Sequence, residues 1–100
     1  MKGKVIRQLA AVMFTDIVGY TALMQKDEAL AMRIRSRHRE VFESLHKIHN
    51  GDIIQYYGDG TLSVFKSALE ATNCAIQIQK LLQEGDQVPV RIGLHLGDIV

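Results

Sequence analysis

The stretch LAAVMFTDIVGYT, residues 9–21, is a short apolar run followed directly by a carboxylate. A continuous apolar run bounded by polar residues is typical of a strand covered on both faces, so residues 9–15 are predicted to form a central strand. Asp16 then lies where that strand ends. An ionised carboxylate at the edge of a core is unfavourable unless hydrogen bonds, a cation or a metal compensate it. The simplest alternative is that Asp16 caps the next helix.

Length and charge limit what the chain can be. One hundred residues are enough for one small domain with a modest core. The formal net charge of +1 gives no general reason to bind nucleic acid or an anionic membrane. No window approaches the roughly 20 apolar residues that a transmembrane helix requires. The single cysteine, Cys74, cannot form an intrachain disulfide, which favours a reducing compartment and predicts a cytoplasmic location.

A helix and a hairpin are predicted after the first strand. The helical spacing ends at Asn50–Gly51, two residues that tolerate a left-handed C-cap. Residues 52–57 and 61–65 are predicted strands, because β-prone runs flank the tight-turn signal GDG. The apolar positions that define the helix are Leu30, Ile34, Val41, Leu45 and Ile48.

A second helix and a last strand complete the pattern. Ser67 and Glu70 have the spacing of a capping box, and the helix they begin ends at Gly85. Cys74 lies on the apolar stripe of this helix and is predicted to be a core residue. Residues 90–96 alternate strictly and predict a strand. The residues Val90, Ile92, Leu94 and Leu96 share one face of it.

The order of the elements predicts an α+β fold with a ferredoxin-like βαββαβ core, an antiparallel sheet and two main helices on one face. In that topology the first and third strands are neighbours, so Asp16 lies beside the turn that carries Asp59. The last strand runs along the other side of the first and brings Arg91 to the same edge.

This edge of the sheet is predicted to bind a divalent cation. Two carboxylates a few ångströms apart repel unless a proton or positive charge lies between them. Mg²⁺ and Mn²⁺ suit the pair, because hard cations prefer oxygen ligands and Mg²⁺ is usually held by one or two carboxylates plus substrate phosphates. The segment IVGYT, residues 17–21, would add backbone amides at the start of a helix as a phosphate cradle.

Three segments resemble the class III adenylate and guanylate cyclase catalytic domains. They are FTDIVGYT, YYGDGTLSVF and VRIGLHLGDIV, at residues 14–21, 56–65 and 90–100. They occur in the family's order and spacing, so the resemblance covers nearly all of the chain. It implies an enzyme that converts ATP, or GTP, into the 3′,5′-cyclic nucleotide and pyrophosphate with two ions of Mg²⁺ or Mn²⁺.

The resemblance also implies roles for individual residues. Asp16 and Asp59 match the two aspartates that hold both metal ions and are the catalytic candidates, and the carbonyl of Ile17 matches a further metal ligand. Arg91 matches an arginine that binds the triphosphate. The loop that holds the β- and γ-phosphates corresponds to Val18, Gly19, Tyr20 and Thr21.

Base recognition is a departure from the family pattern. Gln55 occupies the position where family members that use ATP carry a lysine and those that use GTP carry a glutamate. A glutamine can donate or accept, so it predicts weak discrimination. A polar residue on a sheet face with no role in recognition is the alternative.

The family's catalytic asparagine and arginine are a second departure, because they lie on a later segment that residues 1–100 do not contain. The resemblance therefore implies a truncated catalytic domain that is inactive alone. In the family the site is shared across a head-to-tail dimer, so a homodimer is expected for the longer protein.

Two other functions remain open. The first is a non-catalytic module of the same fold that binds nucleotide and metal or dimerises. The second is an aspartate-nucleophile phosphatase, which is disfavoured because Val18 stands where such enzymes usually carry a second aspartate.

Several other polar residues are predicted to be structural. His38 lies on an apolar helical stripe, and His46 and His49 lie near a helix end, where the dipole favours cations. We expect no histidine metal site. Asp98 is predicted to be a loop carboxylate, and His95 to serve the sheet or dimer surface. A solvated helix surface is predicted for the four arginines Arg33, Arg35, Arg37 and Arg39.

Overall fold

The computed structural model describes residues 8–85 and 87–99, with the backbone alone for residues 8–10, 98 and 99. Its strands are β1 (Gln8–Ile17), β2 (Asp52–Tyr57), β3 (Gly60–Phe65) and β4 (Val90–Ile99). Its helices are α1 (Tyr20–Lys26), α2 (Glu28–Ile48) and α3 (Ala68–Leu82). The strands form one antiparallel sheet in the order β2-β3-β1-β4. The predicted α+β class and ferredoxin-like arrangement are confirmed.

The outer pairing of β1 and β4 runs further than the sequence predicted. The ladder continues to the pair Gln8 and Ile99. Asp98 pairs with Leu9 inside this ladder, so the prediction of a loop carboxylate was wrong. The strands extend because backbone pairing continues past the alternating apolar residues from which their ends were predicted.

The first helical segment is two helices where the pattern predicted one. Asp27 separates them, and its carboxylate accepts a hydrogen bond of 3.1 Å from the amide of Leu30, which caps α2. The other end of α2 agrees with the prediction, since Asn50 adopts a left-handed φ of 59°. Ser67 caps α3 as expected, with a bond of 3.3 Å from the amide of Glu70.

The three helices cover one face of the sheet, which we call the covered face. Met13 of β1 and Phe65 of β3 are buried there, against the apolar stripes of α2 and α3. Cys74 of α3 is fully buried, as predicted, and burial raises the pKa of its thiol to about 12. None of the described helices is long and apolar enough to cross a membrane.

The opposite face, which we call the open face, has no helix packed on it within the described residues. Phe14 points to this face and is 52% exposed. A register shift between Ile53 and Gln55 makes Ile54 an extra, exposed residue in β2. The bulge directs Ile53 and Tyr56 towards the core and leaves Gln55 on the open face, opposite Leu62.

Candidate metal and phosphate site

Asp16 and Arg91 form an ion pair at one end of the open face. They are direct partners in the β1–β4 ladder. The guanidinium of Arg91 donates from Nε to Oδ1 of Asp16 at 3.0 Å and from a terminal nitrogen to Oδ2 at 3.1 Å. These bonds and the charge of Asp16 raise the pKa of Arg91. The prediction that Arg91 reaches this edge is confirmed.

The turn that carries Asp59 lies against the end of β1. Gly58 has a φ of +50° in the two-residue turn, a conformation that glycine adopts readily. The carbonyl of Asp59 accepts a hydrogen bond of 3.1 Å from the amide of Ile17. Gly60, the next residue along, is the ladder partner of Asp16. The two aspartates therefore belong to one end of the sheet, as the topology predicted.

Gly60 permits this close approach. A Cβ at this position would lie 2.7 Å from the carbonyl oxygen of Thr15, too close for real atoms. The absence of a side chain at Gly60 thus allows β3 to pair with β1 directly beside Asp16.

The segment after Asp16 was predicted to bind phosphate through its backbone amides, and only some of these amides are free to do so. The amide of Val18 is already donated to the carbonyl of Pro89 at 2.8 Å. Gly19 has a φ of +72° and open space where a Cβ would lie, and no side chain caps α1. The amides of Tyr20 and Thr21 begin the helix, where donors have no intrahelical partner. Gly19, Tyr20 and Thr21 therefore remain the cradle candidates.

The Tyr20 side chain points away from such a cradle. Its ring is buried in the core, and its hydroxyl has no hydrogen-bond partner within the described residues. Tyr20 could therefore contribute its backbone amide to a phosphate but not its hydroxyl.

The donor set at this end fits a hard divalent cation. It comprises the carboxylates of Asp16 and Asp59 and the carbonyl of Ile17, which are all oxygen donors. The described residues contain no group of three or more His, Cys, Asp or Glu side chains placed to hold a metal. Phosphate or water oxygens would have to complete the coordination of Mg²⁺ or Mn²⁺.

A buried polar chain lies directly behind the two aspartates, on the covered face. The hydroxyl of Thr15 is 3.2 Å from Nε2 of His38 and 2.5 Å from the hydroxyl of Thr61. Burial lowers the pKa of His38 to about 4, against a raising effect from Asp59, so the imidazole is neutral at pH 7. Sequence reasoning treated His38 as a structural core residue and missed these contacts. The available signal was a threonine beside each aspartate motif.

His46 forms a second buried polar contact further along the same helix. Its Nδ1 donates to the carbonyl of Phe42 at 2.7 Å, and its Nε2 accepts from the hydroxyl of Ser63 at 2.8 Å. Burial lowers the pKa of His46. The explanation of His46 as a cation at the helix end was therefore wrong, although its structural role stands.

Gln55 lies apart from the aspartates within one chain. It is exposed on the open face, and β3 separates its strand from β1. Two strand spacings correspond to about 10 Å, so Gln55 and Asp16 do not touch. His95, also exposed, pairs with Val12 in the middle of β4, as predicted for a sheet-surface residue.

Of the four arginines of α2, Arg33, Arg35 and Arg39 are exposed as predicted, and Arg37 is less solvated than predicted. Arg37 is half-buried and donates to the carbonyl of Leu81 at 3.1 Å, which joins α2 to α3. The guanidinium of Arg39 lies 4.0 Å above the ring of Tyr56. Helix spacing alone could not reveal these contacts, because both partners come from other elements.

Comparison with known proteins supports the resemblance stated from the motifs. No family model matches the chain. The protein named "Putative adenylate cyclase 3" of Rhizobium meliloti (strain 1021) is 37% identical over 107 residues, or 99% of this chain and 18% of the relative. The protein named serine/threonine-protein kinase pkn2 of Myxococcus xanthus is 33% identical over 93% of this chain and 12% of the relative. The chain thus spans less than a fifth of these curated relatives.

A solved structure agrees at the level of sequence and fold. The adenylate/guanylate cyclase/hydrolase from Silicibacter pomeroyi is 32% identical to this chain with a TM-score of 0.75. The match covers 96% of this chain and 60% of that protein. The chain is therefore similar, over nearly its whole length, to part of an adenylate/guanylate cyclase catalytic domain.

Proposed function

We propose that this chain, which has the fold of part of a cyclase catalytic domain, is the metal- and phosphate-binding portion of a nucleotidyl cyclase. The reaction is the conversion of ATP, or of GTP, into the 3′,5′-cyclic nucleotide. A bond forms between the ribose 3′-oxygen and the α-phosphorus, the bond from the α-phosphorus to the bridging oxygen breaks, and pyrophosphate leaves.

The convergence at one end of the open face carries this proposal. Asp16 is bound by Arg91 through both carboxylate oxygens, and the backbone of Asp59 is bonded to Ile17. Two acids and a guanidinium at a solvent-accessible edge suit a metal–triphosphate complex, which itself carries both signs of charge.

Each residue has a defined task in this proposal. Asp16, Asp59 and the carbonyl of Ile17 would hold the two divalent ions. When bound, these ions supply charge compensation at the triphosphate and acidify the 3′-hydroxyl. Arg91 binds phosphate oxygens and orients the triphosphate. The amides at Gly19, Tyr20 and Thr21 donate to the terminal phosphates, where Gly19 leaves room for close approach.

Association with a second copy is part of the proposal. Phe14 and Tyr57, both on the open face, are 52% and 51% exposed, and an apolar surface of this kind favours a protein partner. A shared site would also bring Gln55 of one copy towards the metal site of the other. We place this function in the cytoplasm, because the one cysteine of the sequence, Cys74, is a buried thiol.

A non-catalytic module is the second candidate. The similarity to a protein named as a serine/threonine kinase favours it, because a segment like this one occurs in a protein named for another activity. In that case the same end of the sheet would bind metal and nucleotide without turnover.

Binding and turnover of the chain itself test the proposal. We expect the purified 100-residue chain to bind Mn²⁺–ATP and to form no cyclic AMP, because the expected asparagine and arginine are absent from its sequence. Asp16→Asn should abolish the binding. Asp52→Asn is the matched control, since Asp52 is an exposed aspartate in β2 that pairs with Val64. Cyclic AMP formation by the chain would contradict the expected inactivity, and equal binding in the two variants would contradict the proposed metal and phosphate site.

A further inference from the structure

The hydroxyl pair behind the metal candidates joins the same two strands that carry them. Thr15 and Thr61 are direct partners in the β1–β3 ladder. Thr15 precedes Asp16 in the chain, and Thr61 follows Asp59 by two residues. The two hydroxyls lie on the covered face while Asp16 points to the open face, as the alternation of a strand requires.

His38 connects this hydroxyl pair to the helix layer. It is 3% exposed, and its ring stacks on Phe42 at a centroid distance of 5.6 Å. Stacking restricts the ring, so its Nε2 presents a polar atom to Thr15 between the helix and the sheet. Both partners are buried, so loss of Thr15 would remove the bond to the His38 ring, and loss of His38 would leave the Thr15 hydroxyl paired with Thr61 alone. The contact therefore specifies where the end of β1 sits relative to α2.

The position of β1 at Thr15 affects a backbone hydrogen bond close to the two aspartates. The amide of Ile17 donates to the carbonyl of Asp59, two residues beyond Thr15. A small shift of β1 at Thr15 would stretch this bond and change the separation of the two carboxylates.

We propose that His38 is a positioning residue, which acts through the hydroxyls of Thr15 and Thr61 to hold the strand ends of Asp16 and Asp59 in metal-binding register. The part of this inference that concerns metal binding rests on the proposed function. The part that concerns the position of the two strand ends rests on the geometry alone. His46 provides the contrast, because it is equally buried on α2 but bonds to Ser63, further from the aspartates.

Hydrogen exchange and Mn²⁺ binding of the 100-residue chain test this role. The first measurement is the exchange rate of the Ile17 amide relative to that of Val88, whose bond to the carbonyl of Leu82 involves neither β1 nor β3. The second is the affinity for Mn²⁺ alone, from the electron paramagnetic resonance signal of the free ion.

His38→Phe keeps a ring and removes the bond to Thr15. We expect the Ile17/Val88 exchange ratio to rise about tenfold and Mn²⁺ affinity to fall about tenfold, the size associated with one buried hydrogen bond. His38→Gln, which restores a polar atom, should recover both to within about threefold of wild type. His46→Phe should leave both unchanged even where it lowers stability.

A second variant keeps the test possible if His38→Phe does not fold. Thr15→Val removes the hydroxyl at nearly constant volume and should reproduce both effects. The double variant should be no worse than either single one, because the two substitutions remove one interaction. An exchange ratio that stays at the wild-type value in both single variants, or moves equally in His46→Phe, would overturn the proposal. A wild-type chain that fails to bind Mn²⁺ contradicts the proposed function, while the exchange ratio decides on His38 in either case.

Discussion

The covered and open faces of the sheet are built from alternate residues of the same strands, yet they follow different rules. On the covered face the buried side chains of His38 and Ser63 are hydrogen-bonded to Thr15 and His46, and the buried hydroxyl of Tyr20 is the described exception without a partner. On the open face Asp16 and Arg91 pair in contact with solvent, beside exposed apolar side chains such as Phe14. The covered face therefore accounts for stability, and the open face keeps groups available for a ligand and a partner.

The largest expected effect is on the open face. In a longer chain that forms cyclic nucleotide, Asp16→Asn and Asp59→Asn should each lower kcat by about 1,000-fold or more, because each removes negative charge from a site for two divalent ions. Cyclic nucleotide formation with Mn²⁺ is the assay, and Asp52→Asn is the control. Stability should hardly change, since Asp16 is partly exposed. Substantial turnover in either variant would discredit the assignment.

Acidification should act on the covered face. The folded pKa of His38 is lowered from 6.5 to about 4, so the unfolded chain takes up a proton in this range before the folded chain does. Stability is therefore fully present above pH 6.5 and is lost as the pH falls towards 4, by about 3 kcal/mol for His38. His46 adds a loss in the same direction.

Urea unfolding between pH 7 and pH 4 measures this loss. His38→Phe should flatten the dependence, because it removes the titrating group. A wild-type slope that persists unchanged in His38→Phe would show that another group is responsible.

Two glycines allow the strands at the site to be compared directly. Gly60→Ala should destabilise the chain by about 1–3 kcal/mol, because its Cβ would meet the Thr15 carbonyl at 2.7 Å. Gly93→Ala is the control, since a Cβ there meets nothing within 4 Å and should change stability by less than about 0.5 kcal/mol. Thermal unfolding of both variants decides the point, and equal losses would contradict the close approach.

The smallest expected effect concerns base selection. Gln55→Lys replaces an amide that can donate or accept with a side chain that only donates. In a longer chain that forms cyclic nucleotide, we expect the preference for ATP over GTP to rise by about tenfold to a hundredfold. The measurement is kcat/KM for both nucleotides with Mn²⁺, and an unchanged ratio would mean that Gln55 does not contact the base.

The two faces also differ in how much the sequence could predict. Apolar spacing predicted most of the buried stripes of α2 and α3, although Ile48 at the end of α2 is 67% exposed. Strand order predicted that Arg91 reaches the edge of Asp16, and the register then makes the two residues direct partners. The bulge at Ile54 and the break at Asp27 were not predicted, since each depends on one local hydrogen-bond arrangement that no pattern of hydrophobicity records.

The polar contacts were the least predictable part of the site. The bond from His38 to Thr15 joins residues 23 positions apart, and it requires knowledge of which helix turn lies over which strand residue. The use of the Val18 amide by Pro89 is similar, because it depends on the path of the chain before β4. Motif spacing indicated where the site lies but not which of its donors are already occupied.

Anomalous scattering from Mn²⁺ would locate the metal ions at this end of the sheet. Crystals of the 100-residue chain would be soaked with Mn²⁺ and a non-hydrolysable ATP analogue, and data collected at the manganese edge. We expect anomalous peaks within coordination distance of the carboxylates of Asp16 and Asp59, with the guanidinium of Arg91 on the phosphates. Crystals that hold the nucleotide but show no manganese at this end of the sheet, or manganese bound elsewhere, would contradict the proposed site.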